Sequence, residues 1–338
     1  TRHEVGTTMS GMETLASCVG VDGAARMRAL AEGFGPYRTY VSAPQQDGIG
    51  RGLVRRHDAL MNHVMSRARE GVNEDLQDLS ARINLLRGTY AEGGRIFAPG
   101  CEVLLDHPGF RQAAHRLSGR AIVVPTMLYA NILLPGQELP LHTDTPAFRG
   151  LDQTNAPEWL LVCMGHSGLF EDWRTPMIGA VSFFGGCEGG DLVCFPNGVD
   201  GPQVRTPAAD DTAIVLDSEG VFHGVARVGG ADHPAPPSEI GMEIQHVGGD
   251  GWVVRSRGKD VAEYRWGQFR FSVQWKAKCY RSEADRAGAD GIAREAAEAT
   301  MVEDLRRRGA LGDALPNETE LALRMIQTYV RFPAGALH

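Results

Sequence analysis

Between residues 121 and 280 the chain breaks into short apolar or alternating runs separated by Gly, Pro and Asp. They are AIVVPTMLYANILL, MIGAVSFFG, GDLVCFP, TAIVLDSEGVFHGVARV, GWVVRSRG and QFRFSVQWKAKCY. Strands divided by turn formers at such close spacing predict an antiparallel barrel or sandwich over 121–280. Inside the region APEWLLVCMGHSGLFEDWR has helical character, so an insert over one rim is expected at about 145–180. A Pro- and Gly-rich loop with a hairpin is expected as a second insert at about 229–263, before the last core strand.

The flanks have a different texture. From about 10 to 120 the apolar residues of GAARMRALAEGF, RRHDALMNHVMSRAREG and NEDLQDLSARINLLRGTYA recur at three and four, which predicts a helical layer (1–120) packed on the core. After Tyr280, DGIAREAAEATMVEDLRRRGA and ETELALRMIQTYVRF predict C-terminal helices over 281–338, with Gly312 and Pro316 as stop and start signals. The amphipathic pattern of these helices fits either covering the barrel or pairing with a second chain, so the oligomeric state is not readable. At 338 residues and 43% hydrophobic content, the three regions are expected to form one integrated domain. There is no internal repeat.

A net charge of -8 gives no basic surface for nucleic acid, which leaves small-molecule or protein substrates. No apolar stretch nears the roughly 20 residues of a membrane-spanning helix, and TRHEVGTTMSGMETLASCVG lacks a basic region followed by an apolar core. A cytoplasmic location is expected. The six cysteines are scattered without a CxxC pair, so buried thiols are expected rather than disulfides or a zinc knuckle.

The chemistry gathers at LPLHTDTP, which follows the first apolar run. Residues i and i+2 of a strand share a face, so His142 and Asp144 can aim a nitrogen and an oxygen at one point. A third ligand is offered by His223 in DSEGVFHGV, again where an apolar strand meets a turn. Two imidazoles and a carboxylate on one face of a metal leave the opposite positions open, as in non-haem iron(II) oxygenases, although zinc accepts the same donors. An isolated HxD is common by chance. Among the other histidines, His57, His63, His107, His115, His233 and His246 lie in helical or Pro- and Gly-rich surroundings, where a solvated or hydrogen-bonded role is expected.

Three features taken in order are similar to the iron(II)- and 2-oxoglutarate-dependent oxygenases, whose core is a double-stranded β-helix, or jelly roll. They are YANILLPGQELPLHTD, then GGDLVCFP followed by TAIVLDSEGVFHGV, then FRFSVQW. The resemblance spans about Tyr129 to Trp275. It implies a mainly β core with flanking helices, iron(II) on His142, Asp144 and His223, and 2-oxoglutarate held at its far carboxylate by Arg270 and Ser272. Physical chemistry supports that last pair, because Arg offers a planar fork matched to a carboxylate and Ser at i+2 adds a donor on the same face. Tyr129 is a further cosubstrate contact by resemblance, with burial of its ring as the alternative. Many members carry the arginine much closer behind the distal histidine, whereas here the gap is 270 − 223 = 47 residues, so Arg227, Arg255, Arg257 and Arg265 remain alternatives.

The implied reaction couples decarboxylation of 2-oxoglutarate to succinate, using dioxygen, to oxidation of a substrate C–H bond. Hydroxylation is the default, with desaturation or cyclisation possible, in the biosynthesis of a specialised metabolite or modified amino acid. Halogenating relatives lack the carboxylate that Asp144 supplies, which disfavours that chemistry. For substrate contacts the segment after the HxD offers Phe148, Arg149, Trp159, His166, Trp173 and Arg174, each of which could instead be packing residues. A same-fold iron oxidase that needs no 2-oxoglutarate and a non-catalytic jelly-roll binding module are the competing readings.

Overall fold

The structure is a computed structural model that describes residues 5–40, 45–46, 51–52, 62, 67–68, 71–72, 79, 82–230, 233, 239, 241–288 and 290–333. A hairpin of β1 (Val5–Met9) and β2 (Met12–Leu15) turns through Gly11 at φ +74°. It is followed by α1 (Gly20–Gly33), β3 (Tyr37–Thr39), the two-residue strands β4 (Gln45–Gln46) and β5 (Arg51–Gly52), β6 (Leu86–Glu92) and β7 (Arg95–Ile96). Helices α2 (Glu102–Leu105) and α3 (Pro108–Ser118) lead into β8 (Ile122–Leu133) and β9 (Leu139–His142). An excursion through β10 (Ala147–Phe148), α4 (Glu158–Ser167) and β11 (Arg174–Thr175) precedes β12 (Met177–Phe183), β13 (Leu192–Phe195), β14 (Val204–Thr206), β15 (Thr212–Leu216) and β16 (Phe222–Val225). Then come β17 (Glu243–Gly248), β18 (Gly251–Ser256), β19 (Lys259–Arg265) and β20 (Arg270–Tyr280), and after them α5 (Glu283–Ala287), α6 (Arg294–Arg307) and α7 (Glu318–Tyr329).

Eight strands make the core. In the larger sheet β15, β12, β20 and β8 lie side by side, and the smaller sheet runs β14, β13, β16, β9. The chain crosses from larger to smaller sheet at β8 to β9, β12 to β13 and β15 to β16, then returns to the larger at β20. This is the winding of a double-stranded β-helix, the fold the strand spacing and the resemblance predict. Leu133, Val181 and Phe183 from the larger sheet pack with Leu192, Cys194 and Val225 from the smaller to close the interior.

Strand β20 shows how the sequence divides the two faces. Arg270, Ser272, Gln274 and Lys276 alternate with Phe271, Val273, Trp275 and Ala277, and the second set joins Met27, Ala31, Phe110 and Ala113 of α1 and α3 in one apolar cluster. Burial of Phe271 or Val273 there contributes about 1.5–3 kcal/mol each. The polar set is left on the inner face, toward the smaller sheet. The middle of helix α4 is apolar all round, and Trp159 through Met164 are buried between Val193, Phe195 and Phe222 on one side and residues of α6 and α7 on the other.

The described part of the N-terminal layer mixes helices with strands. Among the described residues of 10–120, α1, α2 and α3 are helices and residues 62, 67–68, 79 and 82–83 are helical as well, while β2, β3, β6 and β7 extend the larger sheet. The segment LLRGTYA, expected to end a helix, is strand β6, whose burial alternates along Leu86–Tyr90 as a strand requires. Its misleading signal was helical spacing: Leu79, Ile83, Leu86 and Tyr90 recur at four, three and four, and all are buried. Most of RRHDALMNHVMSRAREG, with His57 and His63, lies outside the described residues. The insert expected at 145–180 ends by Pro176, because MIGAVSF is core strand β12. The hairpin expected at 229–263 is three strands, β17 to β19, ending at Arg265 and joined to the larger sheet through β3. No helix among the described residues is long and apolar enough to cross a membrane. All six cysteines are free, and five are buried.

Candidate metal centre

His142 closes β9 and His223 is the second residue of β16, and the two are register partners across the smaller sheet, with ring centroids 4.5 Å apart. The Nδ1 of His142 lies 2.8 Å from the Pro140 carbonyl and that of His223 lies 2.9 Å from the Val221 carbonyl. A carbonyl oxygen only accepts, so each Nδ1 carries the hydrogen and each Nε2 keeps its lone pair for a metal. Asp144 is pinned from the turn between β15 and β16, where its backbone N–H donates to the Ser218 carbonyl at 2.6 Å. Its Oδ1 stands 4.0 Å from His223 Nε2, and one ligand atom from each of the three residues lies within 4.8 Å of the others. Among the described residues no second group of His, Cys, Asp or Glu gathers in this way.

The other oxygen of Asp144 accepts from Lys276 Nζ, which also donates to Ser218 Oγ at 3.2 Å. Burial alone would raise the Asp144 carboxyl, but Lys276, His223 and His142 beside it hold it well below the usual carboxylate range. The lysine fits because position 179 is glycine: a Cβ there would stand 2.9 Å from the ammonium. Sequence reasoning missed Lys276. Its signal was the period-two stripe R-x-S-x-Q-x-K of β20, which puts it on the face of Arg270 and Ser272.

Arg270 is fully buried beneath the same cavity. Nε donates to the Gly190 carbonyl and Nη1 to Ser272 Oγ, both at 2.8 Å, while Nη2 has no partner. The guanidinium carbon lies 4.9 Å from the centroid of the Phe183 ring, and no carboxylate pairs with Arg270 among the described residues. Burial pushes the guanidinium down to about 10. Ser272 Oγ also accepts from Gln274 Nε2 at 3.1 Å. Of the alternative arginines, Arg255 pairs with Asp260, Arg257 with Glu239, Arg265 with Asp250, and Arg227 donates to the His233 carbonyl. Only Arg270 of these five lines the cavity.

That cavity has a volume of about 480 Å³ and reaches His142, Asp144, His223, Arg270, Gln274 and Lys276. Such a volume holds a small ligand or two. Tyr129 lines it too, opposite Gln274 on β8. The residues expected to touch substrate are held elsewhere. Phe148 packs on Phe170, Trp173 packs on the same ring, Arg149 pairs with Asp285 at 3.1 Å, and Arg174 pairs with Glu219 at 3.3 Å. Trp159 is in the α4 core and His166 bonds to Thr143 Oγ1 at 3.1 Å. None of the six lines the cavity, which the segment after the HxD reaches through Thr145, Gln153 and Glu158 instead. The sequence reading also missed Arg87 and Asn131, which line it from β6 and β8. His107, His115 and His246 bond to backbone carbonyls, as expected of structural histidines.

No protein-family model matches this sequence, and no curated protein does. Solved structures do. An oxidoreductase of the 2OG-Fe(II) oxygenase family from Burkholderia pseudomallei is 14% identical, with 80% of this chain and 87% of that one covered at a TM-score of 0.40. HygX from Streptomyces hygroscopicus, solved with nickel, 2-oxoglutarate and hygromycin B, is 10% identical over 80% of this chain and 84% of its own, at a TM-score of 0.37. A Pseudomonas putida prolyl-4-hydroxylase is 15% identical over 67% and 86%, at a TM-score of 0.33.

Proposed function

We propose that this chain is an iron(II)- and 2-oxoglutarate-dependent oxygenase that oxidises a C–H bond of a small molecule. One observation carries the reading: two imidazoles and a carboxylate converge on a cavity whose wall holds a buried guanidinium with no carboxylate partner and one unpartnered nitrogen. A desolvated guanidinium of that kind costs several kcal/mol unless an anion arrives to pair with it. His142 and His223 through Nε2, with Asp144, would hold the metal. Arg270 and Ser272 would take the far carboxylate of 2-oxoglutarate, beside Tyr129 and Gln274. Iron(II) when bound, with 2-oxoglutarate and dioxygen, supplies the oxidising power, the cosubstrate leaving as succinate and carbon dioxide.

The chain's own contribution is placement. The backbone bond from Asp144 to Ser218 and the two Nδ1 bonds orient the three ligands, and Lys276 fixes the carboxylate. Hydroxylation in the biosynthesis of a specialised metabolite or modified amino acid is the outcome we favour. The free thiols fit a reducing, cytoplasmic setting. An iron oxidase without 2-oxoglutarate would have no use for the charge of Arg270, and a non-catalytic module would have none for the triad.

Anaerobic titration with iron(II), with and without 2-oxoglutarate, tests the assignment. The expected result is a weak visible charge-transfer band that needs both components and disappears in His142→Ala and Asp144→Ala. Iron bound to the parent with no such band would overturn the 2-oxoglutarate mechanism, and unchanged iron occupancy in both variants would overturn the metal site.

A further inference from the structure

The cavity contains a second arginine, for which 2-oxoglutarate has no use. Arg87, on β6, lines it with its guanidinium carbon 3.8 Å from the Tyr40 ring centroid and 4.0 Å from that of Tyr129, so the plane is held between two aromatic faces. Its Nε donates to Asn131 Oδ1 at 3.0 Å. These partners are neutral, and among the described residues no carboxylate pairs with Arg87, although Glu92 and Glu158 line the same cavity. The side chain is therefore fixed before any ligand arrives, with its charge uncompensated and its two Nη groups available. Arg87 pairs with Asn131, and Asn131 with Ser272, in neighbouring strands. Two strand spacings put Arg87 about 10 Å from the Ser272 position, across β8.

We infer that Arg87 is the anchor for a carboxylate on the primary substrate, a specificity-determining residue separate from the Arg270 pocket. The inference rests on the oxygenase reading in one respect, that Arg270 takes the cosubstrate and leaves Arg87 for the substrate. A carboxylate suits the site. With Nε already committed, the two Nη groups present a pair of parallel N–H donors that match the two oxygens of a carboxylate.

The test uses the full chain loaded with zinc(II) and 2-oxoglutarate, a combination that does not turn over. Ligand-observed NMR then measures binding of a panel of N-acetyl amino acids and their matched primary amides, and the affinity for 2-oxoglutarate is measured in parallel. The parent is expected to retain acids over amides. Arg87→Ala is expected to lose that preference by about 10- to 100-fold, with partial recovery in Arg87→Lys. It should keep its 2-oxoglutarate affinity, which also shows that it is folded, whereas Arg270→Ala should lose that affinity. A parent without acid preference, or a preference that survives Arg87→Ala, would overturn the inference. Loss of 2-oxoglutarate from Arg87→Ala with Arg270→Ala unaffected would also overturn it, by making Arg87 the cosubstrate anchor. If the parent itself does not bind 2-oxoglutarate, the oxygenase reading fails, and the acid-over-amide comparison on zinc-loaded protein still decides the role of Arg87.

Discussion

Arg270 brings a full charge into the interior and leaves one nitrogen without a partner, so binding and folding pull in opposite directions at this side chain. Replacing it with methionine keeps an unbranched stem against Phe183 and removes the desolvated charge. Substitutions of that kind are often neutral or stabilising. Arg270→Met is therefore expected to melt no lower than the parent when free of metal, while its 2-oxoglutarate dissociation constant rises about 10- to 150-fold, the worth of hydrogen bonds to a charged group. Melting and ligand titration on the same preparation check both halves. A clear loss of stability with unchanged binding would make Arg270 a structural hub instead. At this scale His142, Asp144, His223 and Arg270 were legible because each lies at a strand end or in strand alternation beside an apolar run. Lys276 and Arg87 were not. The partner of Lys276 is 132 residues away, and Arg87 lay in a stretch read as helix.

The turn joining β15 to β16 serves the centre through its backbone, its Ser218 and Val221 carbonyls accepting from Asp144 and His223. It also buries Glu219, which meets Arg174 at 3.3 Å through Oε2 while Oε1 has no partner. Burial pushes Glu219 up to about 8; Arg174 opposes the rise, and Asp217 and Asp144 add to it. Folded chains thus bind this proton more tightly than unfolded ones, whose carboxyl titrates near 4.3. The resulting stability is complete below about 4.3 and is lost as pH rises through about 8, so unfolding free energy should fall across that window by on the order of 1–4 kcal/mol. Glu219→Gln is expected to flatten this component and to be the more stable protein at pH 8, as urea unfolding at pH 5.5 and 8 would measure. Equal slopes in parent and variant would show Glu219 ionised throughout. Core strands were readable because Gly, Pro and Asp mark their ends. Strand β6 was not, since its apolar residues also fit a helical period and its partner β8 lies about forty positions downstream, at Asn131 for Arg87.

Across the whole molecule the candidate centre ties together distant parts of the chain. His142 and His223 are 223 − 142 = 81 residues apart and sit on adjacent strands of the smaller sheet, whose outer side is covered by α4 and, beyond it, by α6 and α7. An ion on these ligands binds the folded chain and has no preformed site in the unfolded one, so it stabilises by mass action. At a free metal concentration of 100 times the dissociation constant the gain is about 2.7 kcal/mol. Unfolding entropy of about 2.1 cal/mol/K per residue gives roughly 0.7 kcal/mol/K for a chain of this length, so the melting temperature should rise by about 4 °C. Calorimetry under anaerobic conditions with iron(II), or with manganese(II), is expected to show that rise in the parent and to lose it in Asp144→Ala. Adding 2-oxoglutarate should raise the melting point of the metal-loaded parent again, but not that of Arg270→Met. Equal metal-induced shifts in parent and Asp144→Ala would mean that the ion binds elsewhere on the chain. A cosubstrate shift that survived in Arg270→Met would move the anion pocket away from β20.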